Sequence, residues 1–193
     1  DMGSLFRVTS AFDQDISGWV TDSVKDMSYM FLNATAFSAD LSSWNVSQVT
    51  NMTFMFTNDS NFDCNLMDWN VSSVTNMFGM LNKAGLSKEN YDSTLIGWSA
   101  LTLQSGVNFG VENLTYCASY SERQSIIDTY GWTFSDDELD CSDVAFITTW
   151  QTTSDGESIT IPTNSSYTYS YTVDWGDGTI EVGLTGSASH TYT

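Results

Sequence analysis

Few residues in this 193-residue chain are of types that could do chemistry: one histidine, His190, three cysteines and some short acidic runs. A Ser-His-Asp relay needs a histidine held against a nucleophile and oriented by a carboxylate. Only His190 could serve, and no Gly-x-Ser-x-Gly turn is present to expose a serine. His190 reads instead as a packed or hydrogen-bonded strand residue. Paired carboxylates can act as acid and base on a glycosidic bond. Asp136-Asp137-Glu138 offers such a pair, but the run reads first as a solvated loop. Asp174 precedes the Gly176-Asp177-Gly178 turn and Asp177 lies within it; the turn role comes first and a calcium ion second. No other cofactor is expected. No Cys/His group has zinc spacing and no glycine-rich phosphate loop is present. The expectation is a protein that is not an enzyme.

Cys117 and Cys141 both lie where the sequence is not repetitive, and a disulfide between them is expected. It would close a loop of about 25 residues and contribute roughly 3 kcal/mol through chain entropy. Cys64 is left as a buried free thiol. Asn-x-Ser/Thr sequons occur at Asn33, Asn45, Asn51, Asn58, Asn70, Asn113 and Asn164. All but Asn51, assigned to a buried ladder, are candidates for glycosylation if the source is a eukaryote.

The net charge of −19 argues against nucleic acid and anionic lipid as partners. No apolar run is long enough to span a membrane as a helix. The acidic balance suits a soluble surface in a salty or extracellular setting.

The chemistry-bearing residues must be held by something, and the frame is a repeat. Trp19, Trp44 and Trp69 stand 25 residues apart, each followed in phase by a Val, a Met and then Phe31, Phe56 or Leu81. Met27, Met52 and Met77 form one column, Phe31 and Phe56 another, Phe12, Phe37 and Phe62 a third. A fixed period in this range predicts stacked coils, each burying its apolar face against its neighbours. Asp26, Asn51 and Asn76 precede the Met column. They are expected to form a hydrogen-bonded ladder that satisfies the backbone of the turns. Asp15, Asp40 and Asn65 form a second polar column. Leu95 and Trp98 repeat Leu66 and Trp69 after an insertion. Asp1-Met2 aligns with Asp26-Met27, so the chain is expected to begin within a repeat of something longer.

Three regions follow: the repeats at 1–100, a cap at 101–142 and a β module at 143–193. The cap is expected to hold a helix over 121–130, N-capped by Ser121 and closed by Gly131. In the tail, 145–150, 158–161, 167–175, 180–182 and 190–192 read as strands.

At Phe37-Ser-Ala-Asp-Leu-Ser-Ser-Trp-Asn-Val-Ser-Gln-Val-Thr-Asn-Met52 the chain resembles the BspA-like bacterial surface repeat, a divergent relative of leucine-rich repeats. The tail Val173-Asp-Trp-Gly-Asp-Gly-Thr179 with His190-Thr-Tyr192 is similar to the immunoglobulin-like PKD module, and stops short of that module's last strand. These resemblances imply a mainly-β fold. It would be a leucine-rich-repeat-like solenoid of 25-residue coils with a disulfide-containing C-terminal cap, then a small, incomplete immunoglobulin-like β-sandwich. They imply an extracellular or cell-surface structural and adhesive protein, making protein–protein contacts that include self-assembly through an open sheet edge. The alternative is a carbohydrate- or surface-binding module of a larger secreted protein.

Overall fold

The computed structural model describes residues 1–141, 156–163 and 171–192, with Thr172 and Asp174 described by backbone alone. The chain divides into two compact units, Asp1–Val144 and Ala145–Thr193.

Successive repeats are joined by backbone hydrogen bonds that alternate along each turn segment. The N–H groups of Met2, Ser4, Phe6 and Val8 donate to the carbonyls of Asp26, Ser28, Met30 and Leu32 in the next repeat. Those of Leu5, Arg7 and Thr9 fold back onto their own turn. The same alternation recurs at Met27–Ala34. Ser4, Tyr29, Phe54 and Gly79 all have positive φ, as do Val8, Asn33, Asn58 and Lys83. A backbone that turns left-handed twice in five residues is not extended. Cross-repeat bonding therefore proceeds without strands; only isolated bridges such as Asp26↔Asn51 and Asn51↔Asn76 form.

Inside this frame the apolar columns interdigitate. Phe31 stacks on Phe6 at 5.5 Å and on Phe56 at 5.4 Å, with Phe37 beside it at 4.1 Å. Met27, Met30, Met52, Met55, Met77 and Met80 are fully buried. Each interior Trp sends its indole N–H to a carbonyl of the repeat before it: Trp44 to Ile16 at 3.1 Å, Trp69 to Leu41 at 3.0 Å, Trp98 to Leu66 at 3.0 Å. Trp19 differs, at 40% exposed, because no described segment covers its side of the stack.

The fourth repeat departs from the expected coil. Residues Lys88–Ser99 form helix α1, N-capped by Ser87, whose hydroxyl accepts from the Asn90 N–H. Leu95 and Trp98 still point inward as Leu66 and Trp69 do, because positions three apart share a helix face. Their spacing alone therefore did not distinguish coil from helix. Gly97 allows the close approach: a Cβ there would lie 2.3 Å from the Met67 carbonyl oxygen.

The remaining elements of the first unit are β1 (Asn108–Gly110), β2 (Thr115–Tyr116), α2 (Tyr120–Tyr130), β3 (Thr133–Ser135) and β4 (Glu138–Leu139). β1 pairs in parallel with β3, and β2 with β4. Helix α2 begins one residue before Ser121, so Ser119 and not Ser121 is its N-cap residue; Gly131 closes it with φ 67°.

The second unit holds β5 (Ser158–Ile161), β6 (Tyr171–Asp174), β7 (Ile180–Leu184) and β8 (Ala188–Thr191). β5 pairs antiparallel with β8 and β6 with β7, as separate two-stranded sheets around Ile159, Val173, Trp175 and Ala188. The strand expected at 145–150 and the first part of that at 167–175 lie outside the described residues.

The expected mainly-β architecture is thus not the one observed. The described residues carry short strands in four two-stranded sheets, together with two helices. The repeat region is built of turns, not of a leucine-rich-repeat-like β-solenoid, and the described tail strands form two separate two-stranded sheets, not an immunoglobulin-like sandwich. The physical reason in the repeats is the recurring left-handed residue, which periodicity of side chains does not report.

Candidate functional site

A dense set of polar side chains lies where α1 and α2 meet β2 and β4. Asp92, in the middle of α1, is buried. Its carboxylate accepts from the N–H groups of Cys117 at 3.1 Å, Ala118 at 3.1 Å and Ser119 at 2.9 Å, and from the Ser119 hydroxyl at 2.5 Å. These amides stand at the start of α2, where a helix leaves N–H groups without partners. Ser119 makes no side-chain cap of its own. Asp92 therefore caps α2 from a neighbouring helix.

One turn into α2, Arg123 forms a bidentate pair with Asp137 at 2.8 and 2.7 Å. Tyr91 donates its hydroxyl to the same carboxylate at 2.9 Å. The guanidinium lies over the rings of Phe134 at 4.4 Å and Tyr116 at 4.8 Å. The Asp137 side chain is 1% exposed. Asp137 is thus not part of a solvated loop, as the acidic run suggested. Burial opposes the charge on Arg123, and the Asp137 carboxylate more than offsets it, holding the guanidinium above its ordinary pKa. Burial first, then Asp137, pushes the Tyr91 hydroxyl well above its ordinary range. With both carboxylate oxygens engaged, Asp137 is placed to hold elements together rather than to exchange protons with a substrate.

Cys117 and Cys141 are bonded to one another, and the bridge ties the start of α2 to the residues after β4. Replacing both by serine is expected to cost about 3 kcal/mol. Urea unfolding of the variant beside the oxidised parent checks this. Cys64 is a buried free thiol that donates towards Asp40 at 3.3 Å, and burial raises its pKa to about 12.

The polar columns lie elsewhere on the first unit. Asp26, Asn51 and Asn76 each accept from the N–H two residues on, at 2.8, 3.1 and 3.2 Å. Asn51 also donates to Asp26 at 3.2 Å. Asp15, Asp40 and Asn65 repeat that local turn. Of the sequon residues, Asn45, Asn58, Asn70 and Asn113 are exposed, while Asn33 and Asn51 are half-buried; Asn164 lies outside the described residues. Asn45 donates to Asp22 at 2.9 Å and Asn58 to Asn33 at 2.8 Å.

In the second unit His190 stands 2.7 Å from the Asp177 carboxylate, with its ring stacked on Trp175 at 5.1 Å and edge-on to Tyr192 at 4.8 Å. The His190 bond first, then the Thr179 N–H, lowers the Asp177 pKa to about 2. The side chain of Asp174, the other calcium candidate, is outside the described residues. Among the described residues no group of three or more His, Cys, Asp or Glu side chains is arranged to hold a metal ion.

Sequence reasoning missed Tyr91, Asp92 and Arg123. Arg123 carried one signal: it is among only 5 basic residues against 24 acidic ones, so a carboxylate partner was to be expected. Asp92 inside α1 gave none, because its partners come from a segment 25 or more residues away.

These features define a chain of 25-residue turn repeats bonded to one another, followed by two helices and short paired strands tied by a disulfide. Residues 1–94 match the family described as "Mycoplasma protein of unknown function, DUF285". No curated protein and no solved structure matches the chain.

Proposed function

We propose that this chain is a non-enzymatic part of an extracellular surface protein, in which BspA-like repeats form a stiff spacer that carries attachment contacts. The observation that supports this reading best is the continuity of the stack: backbone bonds, Phe rings and indole N–H groups link each repeat to the next. Such an element resists bending because every repeat is tied to its neighbours at several points. The polar clusters serve the fold, and net charge −19 keeps the surface hydrated and apart from anionic polymers.

Antibody against the purified chain should label intact cells of the source, and brief external protease treatment should remove the signal. Labelling only after permeabilisation overturns the reading.

A second reading, glycan binding, has one observation in its favour. Tyr29, Phe54 and Phe78 form a surface row with centroids 5.4 and 5.2 Å apart, and Arg7 lies 5.5 Å over Tyr29. Phe78 is 51% exposed. Aromatic faces of this kind can stack on sugar rings. Binding on a glycan array that disappears in Phe54→Ala/Phe78→Ala would support it; binding unchanged by that pair would not.

A further inference from the structure

Among the described residues, Asp59 is the buried carboxylate that the fold leaves without a partner. The side chain has no exposure, and neither carboxylate oxygen accepts a hydrogen bond. Its place in the period is held by Thr9, Ala34 and Ala84 in the other repeats. Thr9 bonds its hydroxyl to the Phe6 carbonyl and Ala34 is fully buried, so the position is built for a small or locally satisfied side chain. The backbone around Asp59 is fully engaged: its N–H donates to Phe56 at 3.0 Å, and its carbonyl accepts from Gly85 at 2.9 Å. The next repeat closes over the loop so tightly that a Cβ on Gly85 would lie 2.1 Å from the Ser60 carbonyl oxygen.

An ionised carboxylate with no counter-charge and no donor is costly in such a place, and the group is retained by taking up a proton. The charged group acting on it, the Asp13 carboxylate, repels a second negative charge. The Asn61 N–H pulls the other way without reaching hydrogen-bonding geometry.

We propose that the Asp59–Cys64 loop is a pH-governed joint in the stack, closed while Asp59 is protonated and opening ahead of the rest of the unit when that proton is lost. The device sits within the repeat region and does not depend on where the protein resides or what it binds.

The direction follows from proton linkage. Burial raises the folded-state pKa of Asp59 to about 8. The open loop has an ordinary carboxylate near 4, so between those values the closed state binds more protons than the open one. Closure is therefore at full strength below about pH 4. Across the window up to about pH 8 the opening constant rises by up to roughly tenfold per pH unit, and then levels off.

Cys64, the free and buried thiol five residues on, reports the opening. The oxidised chain is labelled with iodoacetamide at a series of pH values from 5 to 8, alongside Asp59→Ala and Asp59→Asn. Alanine already occupies the equivalent place twice, so Asp59→Ala is expected to fold. Taking the ratio of parent to variant rates at each pH removes the intrinsic titration of the thiol. The expected result is a ratio that climbs at least tenfold from pH 5 to pH 8 against both variants, while urea unfolding monitored in parallel shows the unit still folded. A ratio flat with pH overturns the proposal. So does a ratio that rises only in step with the global unfolding constant, since the loop would then not open ahead of the unit.

Discussion

Arg123→Met is expected to destabilise the first unit by roughly 3–5 kcal/mol, because it leaves the Asp137 carboxylate buried without a counter-charge. Asp137 is enclosed by α2, β3 and Tyr91, so it cannot turn to water when the guanidinium goes. The loss also removes the cation from between the Phe134 and Tyr116 rings. Each ring contact is worth about 0.5–2 kcal/mol where desolvated. The double variant Arg123→Met/Asp137→Leu should recover most of the stability, since the burial cost and the attraction disappear together. Chemical denaturation of the parent, the two single variants and the double variant gives the coupling energy. A near-zero coupling would mean that the pair is screened by solvent and that the cap is held by packing and the disulfide alone.

Trp69→Ala is the second large effect, at about 4–5 kcal/mol. Truncating a fully buried Trp costs about 3–5 kcal/mol through lost transfer energy and the cavity left behind. Trp69 also satisfies the Leu41 carbonyl at 3.0 Å and packs against Phe56 at 6.4 Å. An unpartnered buried carbonyl adds on the order of 1 kcal/mol. The expected fall in melting temperature is roughly 10–20 °C. Trp19→Ala provides the internal control. Its chemistry in the repeat is the same, but it is already 40% exposed, so the loss should be a fraction of that at Trp69. Equal losses at the two positions would show that the column does not act through burial.

Much of the interior was legible before any coordinates. The Met, Phe and Trp columns recur in phase, and a side chain repeated every 25 residues in a stacked chain has an identical copy as its neighbour. The local turn at Asp26, Asn51 and Asn76 was legible for the same reason, but of the expected buried ladder the described side-chain bond between repeats is Asn51 to Asp26, and Asn76 is exposed. The disulfide could be expected because only two of the three cysteines share the non-repetitive region. Helix α1 was not legible, because Tyr91, Leu95 and Trp98 satisfy a helix face and a coil column equally well.

Two further matters were decided only in three dimensions. The backbone of the repeats is turned rather than extended, and the recurring positive φ falls on Ser4, Tyr29, Phe54, Val8 and Lys83, which carry no glycine-like signal; only Gly79, Asn33 and Asn58 are of types that favour it. The polar centre of the cap and the isolation of Asp59 depend on what the chain places around a carboxylate. Asp92 and Asp137 gather donors from distant segments, and Asp59 gathers none. A sequence read by itself determines which side chains repeat and so which must face inward, because period and hydrophobicity are local properties. Whether a given carboxylate ends as a cap, an ion pair or an uncompensated acid is decided by tertiary structure, because its partners are set by proximity in space and not by distance along the chain.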